Sequence, residues 1–301
     1  MWSIALTKGT AMVKRPAQWL IDLVTATILL TSRWASPDGV LESVQMKPGL
    51  RLPATLMIGL AACSVITHAQ QGGRGVPQAP PTARASAPFD LTGQWVSLIT
   101  EDWRHRQFTP PKGDYASLPL SPAGRKIADN WDPARDEAAG EQCKAYGAAG
   151  LLRLPIRLRI AWQDDTTLKL ETDAGMQARV FQFGAAQGSG GDWQGLSIAS
   201  WDYPRAAFAG RAGGSAPGGS LKVITTRMKP GYLRKNGVPY SADAVLTEYF
   251  DRFDGPGGDS LLVITTEVVD PEYLATPYWT SQQFKRENDA SRWTPTPCTA
   301  R

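Results

Sequence analysis

Histidine and cysteine are scarce in this chain, which has two histidines and three cysteines among its 301 residues. Only His105, Cys143 and Cys298 lie beyond residue 69, the end of the leader predicted below. One histidine and two cysteines cannot supply the four ligands of a typical structural zinc site, so no metal site is predicted. The glycine-rich stretch 255–258 lacks the Lys-Ser/Thr end of a phosphate-binding loop, and no cofactor is predicted either.

A strong excess of positive charge is also missing from the mature part. The whole chain has 32 Lys+Arg and 28 Asp+Glu, a net charge of +4, and a pI near 9.0. Six of those basic residues and three of the acidic ones fall in residues 1–69, which leaves 26 against 25, or +1. Binding to nucleic acid needs a basic face on the folded domain, so nucleic acid is not predicted as a partner.

Long apolar runs are few, and the clearest one marks a leader. Residues 52–66 are apolar, follow the basic stretch 46–51 and end in the small-residue exit 67–69, the pattern of a secretory signal peptide. We therefore predict that Met46 is the true start, that 46–69 is a signal peptide and that 1–45 is an unstructured upstream extension. A second apolar run, 19–30, is interrupted by Asp22 and falls short of the ~20 residues of a membrane helix; a two-helix anchor is the alternative.

The cysteines fit an exported protein, periplasmic or secreted. Cys63 follows Leu-Ala-Ala, the pattern of a lipoprotein cleavage site, so the mature chain starts either at an acylated Cys63 or after Ala69. A lipid on Cys63 would be the only expected contact with a membrane. Cys143 and Cys298 then form an even pair in an oxidising compartment, which predicts a disulfide; two unpaired buried thiols are the alternative.

Beyond the leader, residues 70–88 have the Gln, Gly, Pro and Ala content of a disordered linker, and 89–301 is predicted to be a single β-rich domain. Alternating apolar residues predict strands at 156–162, 168–171, 176–183, 193–201, 220–228, 245–253 and 261–269. Ser121-Pro122 and Asp132-Pro133 each place a capping residue before a helix-starting proline. The fold class predicted is all-β, mainly antiparallel: a lipocalin-like barrel or strongly curved meander with two short helices after the first strand.

The Gly93-Gln94-Trp95 opening of the first strand resembles that of lipocalin-type barrels. Several further stretches are similar to a family of exported bacterial proteins with a lipocalin-like domain and no established activity: 102–104, 140–143, 230–234, 246–253 and 270–273. The similarity covers most of 89–298 and includes Cys143 and Cys298. It implies export and a barrel-like fold, and it supplies no site residues. The glycine-rich stretch 209–219 is longer than this pattern predicts.

The densest ionisable cluster is residues 101–106. If the first strand continues through it, Glu101 and His105 share one face and could relay a proton. Glu248 is a second candidate carboxylate for His105, if it points inward. The alternatives are a solvated strand end with cross-strand ion pairs, and a strand at 245–253 that buries the opposite face, including Tyr249.

Aromatic residues are the remaining clue to function. Trp162, Trp193 and Trp201 lie on predicted strands, and with Tyr249 they are the candidate lining of an apolar pocket; ordinary core packing is the alternative. We therefore predict an exported, lipocalin-like binding protein for a small apolar or amphipathic molecule. An enzyme of the hydrolase or isomerase type that uses His105 with a carboxylate, and a structural protein of the cell envelope, are the alternatives.

Overall fold

The computed structural model of the chain describes residues 81–203 and 218–301. Within these residues, nine strands close into one barrel and two more form a separate hairpin. The strands are β1 (Gly93–Leu98), β2 (Arg157–Trp162), β3 (Thr167–Thr172), β4 (Ala178–Phe183), β5 (Leu196–Asp202), β6 (Ser220–Thr226), β7 (Gly231–Arg234), β8 (Val238–Tyr240), β9 (Val245–Asp254), β10 (Ser260–Val269) and β11 (Tyr278–Arg286). The predicted upstream extension, signal peptide, Cys63 and most of the linker lie outside the described residues, as does most of 209–219.

Around the barrel the order is β1, β11, β10, β9, β6, β5, β4, β3 and β2, which confirms the all-β barrel predicted from the sequence. Neighbouring strands are antiparallel except β4 and β5, which run parallel with Phe181 opposite Ser197. The β7–β8 hairpin and β11 are not among the strands predicted from the sequence. In β11 the inward-facing position between Tyr278 and Phe284 that is fully buried holds the polar residue Gln282. The sequence therefore lacks the alternation of apolar and polar residues that predicts a strand.

The two predicted helices are present between β1 and β2. They are α2 (Pro122–Asp129) and α3 (Pro133–Ala138), and each begins with proline after a capping side chain. Ser121 Oγ accepts a hydrogen bond from the backbone N–H of Gly124, and Asp132 Oδ1 accepts one from that of Ala134. The insertion also contains α1 (Trp103–Arg106), a 3₁₀ turn at Lys144–Tyr146 and α4 (Ala148–Leu151).

Large side chains from the barrel strands fill its interior. Trp95, Phe181, Phe250 and Phe284 are all fully buried in one cluster. The Trp95 indole N–H, which has left water, donates a hydrogen bond to the Leu91 carbonyl oxygen. The interior formed by the described strands is therefore a packed core of the kind found in small barrels, and not an open pocket.

One ion pair is fully buried inside this core. The two terminal nitrogens of Arg179 lie 2.8 and 2.6 Å from the two carboxylate oxygens of Glu248, and both side chains have no solvent exposure. Arg179 also donates to Thr225 Oγ1, which is bonded to the hydroxyl of Ser197. Excellent geometry and extra hydrogen bonds are what a buried pair needs to offset the loss of hydration.

The two ends of the barrel are closed differently. The end reached by α1–α4 and the β7–β8 hairpin is called the helix end here. At the opposite end Trp162, Phe183 and Trp201 pack together, with ring centroids 5.3–6.4 Å apart, and Phe89 joins them. The Trp201 indole N–H donates to the carbonyl oxygen of Ala83, so part of the segment predicted as a linker contacts the barrel.

Cys143 and Cys298 form the predicted disulfide, with Cα atoms 5.1 Å apart. The bond joins the C-terminal tail to the start of the 3₁₀ turn at the helix end, and Thr296 of the tail pairs with Ala174 between β3 and β4. Such a disulfide is compatible with an extracytoplasmic location. In the described part of the chain, none of the helices has the length and apolar character to cross a membrane.

The variant Glu248→Gln should lower the free energy of unfolding by about 3–5 kcal/mol, because it leaves the Arg179 charge buried without a counter-ion. Urea unfolding followed by tryptophan fluorescence measures the change. Glu267→Gln, on the outer face of the neighbouring strand β10, is the control and should change the value by less than about 0.5 kcal/mol. A loss as small in Glu248→Gln as in the control would contradict the role assigned to the pair.

Candidate functional site

A cleft of about 210 Å³ opens at the helix end of the barrel. Four segments that are distant in sequence line it: α1 with the residues after it, the stretch from the 3₁₀ turn to the start of β2, the β3–β4 loop and the end of β7. The lining residues used below are His105, Arg106, Phe108, Tyr146, Arg153, Leu154, Leu233, Arg234 and Lys235.

Three arginines of this cleft are almost completely buried, with exposed fractions of 4 % for Arg106, 8 % for Arg153 and 6 % for Arg234. Arg106 ends α1, and its Nε donates to the carbonyl oxygen of Arg153 at 3.0 Å. Arg234 ends β7, and its Nη1 donates to the carbonyl oxygen of Ala116 at 3.2 Å. Each guanidinium is thus held in place by a backbone carbonyl or by a carboxylate.

The carboxylate partners are unevenly distributed. Arg153 Nη2 lies 2.6 Å from Asp102 Oδ2, and its Nη1 lies 4.0 Å from Glu101 Oε1. Among the described residues, Arg106 and Arg234 have no carboxylate within ion-pair distance. In these three arginines, four buried guanidinium nitrogens also have no hydrogen-bond partner among the described residues: Arg106 Nη1 and Nη2, Arg153 Nη1 and Arg234 Nη2. Buried charges without a partner cost several kcal/mol each, so an anion in the cleft would stabilise these arginines.

The electrostatics of the arginines reflect this burial. Desolvation, followed by repulsion from Arg153, lowers the pKa of Arg106 to about 10. Burial also lowers the pKa of Arg234. Both groups still carry their charge at neutral pH, so the cleft presents fixed positive charge in a poorly hydrated setting, where its interaction with an anion is stronger than in water.

Apolar groups form the rest of the cleft. The Phe108 side chain is 66 % exposed, while Leu154 and Leu233 line the cleft from the other segments. Lys235 stands at the rim, where its Nζ lies 3.0 Å from Thr299 Oγ1 in the C-terminal tail and 3.3 Å from the Tyr146 hydroxyl. The combination of buried cations and apolar surface suits a molecule with a negatively charged group and an apolar body.

His105, the predicted acid–base candidate, lines the cleft, and its carboxylate partner is Asp114 in place of the predicted Glu101 or Glu248. Its Nε2 lies 3.4 Å from Asp114 Oδ2, and its Nδ1 is buried without a partner among the described residues. Although burial opposes it, the N–H of Ala116 and the imidazole of His105 lower the pKa of Asp114. The arrangement orients the ring by one nitrogen and leaves the other for a ligand.

The predicted pairings of His105 with Glu101 and Glu248 are not formed. Strand β1 ends at Leu98 and the following residues turn into α1, so Glu101 and His105 do not share a strand face; Glu101 lies beside Arg153. Glu248 does point inward, but its carboxylate forms the ion pair with Arg179 in the barrel core. The prediction assumed a strand, in which every second residue shares a face, whereas α1 is helical.

The predicted aromatic lining is dispersed. Trp162 and Trp201 belong to the partly buried cluster at the end of the barrel opposite the cleft. Trp193 lies in the β4–β5 connection, where Lys229 covers its ring at 4.4 Å. Tyr249 points to the outer face of β9, beside Lys222, because its neighbours Glu248 and Phe250 point inward. These four residues do not form one pocket.

The arginines that define the cleft were not singled out by sequence analysis. One usable signal existed: Arg153 interrupts the apolar run 151–156, and a charge inside such a run is either paired or functional. Arg106 and Arg234 carry no comparable signal, since each lies next to other charged residues. In the described residues, no group of three or more His, Cys, Asp or Glu side chains could hold a metal ion.

Comparisons with known proteins add no relative: no family model, curated protein or solved structure matches the chain. The resemblance to exported lipocalin-like proteins therefore stays an expectation.

In the ligand-free protein, Arg106→Met should leave stability unchanged or raise it by about 1–2 kcal/mol, because the variant removes an uncompensated buried charge. Arg153→Met should instead lower stability by about 1–2 kcal/mol, since it breaks a charge-assisted bond to Asp102. Urea unfolding of both variants provides the measurement. Equal destabilisation by the two would mean that Arg106 is an ordinary structural arginine.

Proposed function

We propose that this protein is an exported binding protein for a small amphipathic anion, held in the cleft at the helix end of the barrel. One observation carries the proposal. Arg106 and Arg234 are buried in one cleft and, among the described residues, have neither a carboxylate partner nor a full set of hydrogen bonds. An anion would supply both.

The apolar part of the cleft supports an amphipathic rather than an inorganic anion. Phe108 is exposed at the cleft, and Leu154 and Leu233 provide further apolar surface. The proposal thus keeps the predicted class of ligand and moves its site from the barrel interior, which is packed, to the end of the barrel. Ligand pockets at the mouths of barrels are common.

Export is part of the proposal. The leader pattern in residues 46–69 and the disulfide between Cys143 and Cys298 both support a periplasmic or secreted protein. A lipid anchor at Cys63 would place the same domain at a membrane surface. The binding proposal does not depend on which of the two N-termini is produced.

Binding is tested by isothermal titration of the purified protein with hexane-1-sulfonate, a small amphipathic anion that carries one negative charge. We expect saturable binding at one site, weakened at least about ten-fold in Arg106→Gln and in Arg234→Gln, because a desolvated charge partner contributes more than 1.4 kcal/mol. Arg104→Gln is the matched control, an exposed arginine on the same helical turn, and should bind like the parent protein.

Circular dichroism of each variant shows that the fold is retained. Equal affinity in Arg104→Gln and Arg106→Gln would contradict the proposal, because it would place the probe on general surface charge or exposed apolar surface. Complete absence of saturable binding would leave a structural role in the cell envelope as the better reading.

A second candidate function is acid–base catalysis in the same cleft, favoured by the His105–Asp114 pair. In the described part of the chain, no serine, threonine or cysteine side chain is hydrogen-bonded to His105, so hydrolysis would use an activated water.

If the protein only binds its ligand, it should hydrolyse 4-nitrophenyl hexanoate no faster than His105→Gln does, measured by release of 4-nitrophenolate. A rate that exceeds that of His105→Gln by ten-fold or more, with a matching loss in Asp114→Asn, would instead establish the enzyme.

A further inference from the structure

The charges around the cleft set a limit on the charge of its occupant. Four cationic side chains line the cleft: Arg106, Arg153, Arg234 and Lys235. Three carboxylates lie beside them or beside His105: Glu101, Asp102 and Asp114. Asp114 faces His105, and Lys235 also donates to the Arg301 backbone oxygen. The three buried guanidinium groups therefore face two carboxylates, Glu101 and Asp102, which leaves a single positive charge in this part of the described structure.

Other carboxylates in the neighbouring segments do not change this balance. Asp136 is paired with Lys144, and Asp173 faces Arg157. Glu101 and Asp102, by contrast, act on the cleft itself, because both partly oppose the lowering of the Arg106 pKa that burial causes, and Asp102 does the same for Arg234. A singly charged anion would neutralise the cleft, whereas a doubly charged one would add a negative charge next to these carboxylates.

The free donors also match a carboxylate. Arg106 uses its Nε for the Arg153 carbonyl, which leaves Nη1 and Nη2 side by side and unpartnered among the described residues. Two parallel N–H donors in one plane fit the two oxygens of a carboxylate in the bidentate arrangement that arginine favours. Arg153 Nη1 and Arg234 Nη2 are available for the remaining lone pairs.

We infer that the occupant of the cleft is a small monocarboxylate whose apolar body lies against Phe108, Leu154 and Leu233. This inference rests on the proposed function and narrows it, since it selects a monoanionic carboxylate over a phosphate monoester. The volume of about 210 Å³ restricts the apolar body to a short chain or a single ring. The carboxylate occupies the buried side and the apolar body the side where Phe108 is exposed.

The test compares three ligands that share one apolar body: hexanoate, hexyl phosphate and hexanamide. Isothermal titration at pH 8 is suitable, because a phosphate monoester, with a second pKa of about 6, is then doubly charged. We expect hexanoate to bind at least ten-fold more tightly than hexyl phosphate, and hexanamide to show no measurable binding. Arg106→Gln should weaken hexanoate at least ten-fold, and Arg104→Gln should leave it unchanged.

A charge-neutralising variant at the rim gives an independent readout. Glu101→Gln removes a negative charge that lies 4.0 Å from Arg153 Nη1 without removing any of the arginines. We expect the ratio of the dissociation constants of hexyl phosphate and hexanoate to fall three-fold or more, because the loss of a negative charge favours the dianion. A purely structural effect of the substitution would move both ligands equally and would count against the charge argument.

The outcomes distinguish failure of the monocarboxylate inference from failure of the proposed anion-binding function. If hexyl phosphate binds as tightly as hexanoate or more tightly, the monocarboxylate inference is overturned while the anion-binding function stands. If neither anion binds and the sulfonate probe also fails, both are overturned. Binding of hexanoate that persists in Arg106→Gln would overturn the inference as well, because the carboxylate would then lie elsewhere.

Discussion

The barrel is closed by β1, which pairs with β2 on one side and with the C-terminal strand β11 on the other. This double pairing satisfies both edges of the first strand and joins the beginning of the domain to its end. It also determines what happens next in the chain. Because β1 ends at Leu98, the insertion that follows must cross the helix end before β2 begins, and it brings α1 and Arg153 over that end. The cleft is a consequence of barrel closure.

Two kinds of buried charge occur in this structure, and the contrast between them is informative. In the barrel core Arg179 and Glu248 satisfy each other in a bidentate pair with no exposure. At the helix end Arg106 and Arg234 are buried nearly as deeply without such a partner among the described residues. In the first arrangement the buried charge is balanced within the pair, and only Arg179 Nε lacks a hydrogen-bond partner among the described residues. The second sacrifices folding stability for a preorganised set of donors, which is the pattern of functional sites.

The disulfide links the site to the end of the chain. Cys143 precedes the 3₁₀ turn that contributes Tyr146 to the cleft, and Cys298 precedes Thr299, which contacts Lys235 at the rim. Closure of a loop spanning 155 residues restricts the unfolded chain and holds these groups together. The tail thereby supports the rim of the cleft through Lys235, although it lies far from the insertion in sequence.

Local patterns in the sequence determined the class of fold, because apolar alternation, glycine-rich turns and proline after a capping residue act over a few residues only. They located eight of the nine barrel strands, both capped helices and the two cysteines of the disulfide. Three features could be recognised only from the closed barrel: the inward direction of Glu248, the parallel pairing of β4 with β5, and the strand β11 with its buried Gln282. The site depended on it most. In the sequence, nothing distinguishes Arg106 and Arg234 from other charged residues. Tertiary packing buries both of them together with Arg153 and, among the described residues, places carboxylates beside Arg153 only. Burial depends on contacts between residues that are distant in sequence. The fold, and not the local sequence, therefore gathers three arginines of this nearly neutral domain in one cleft.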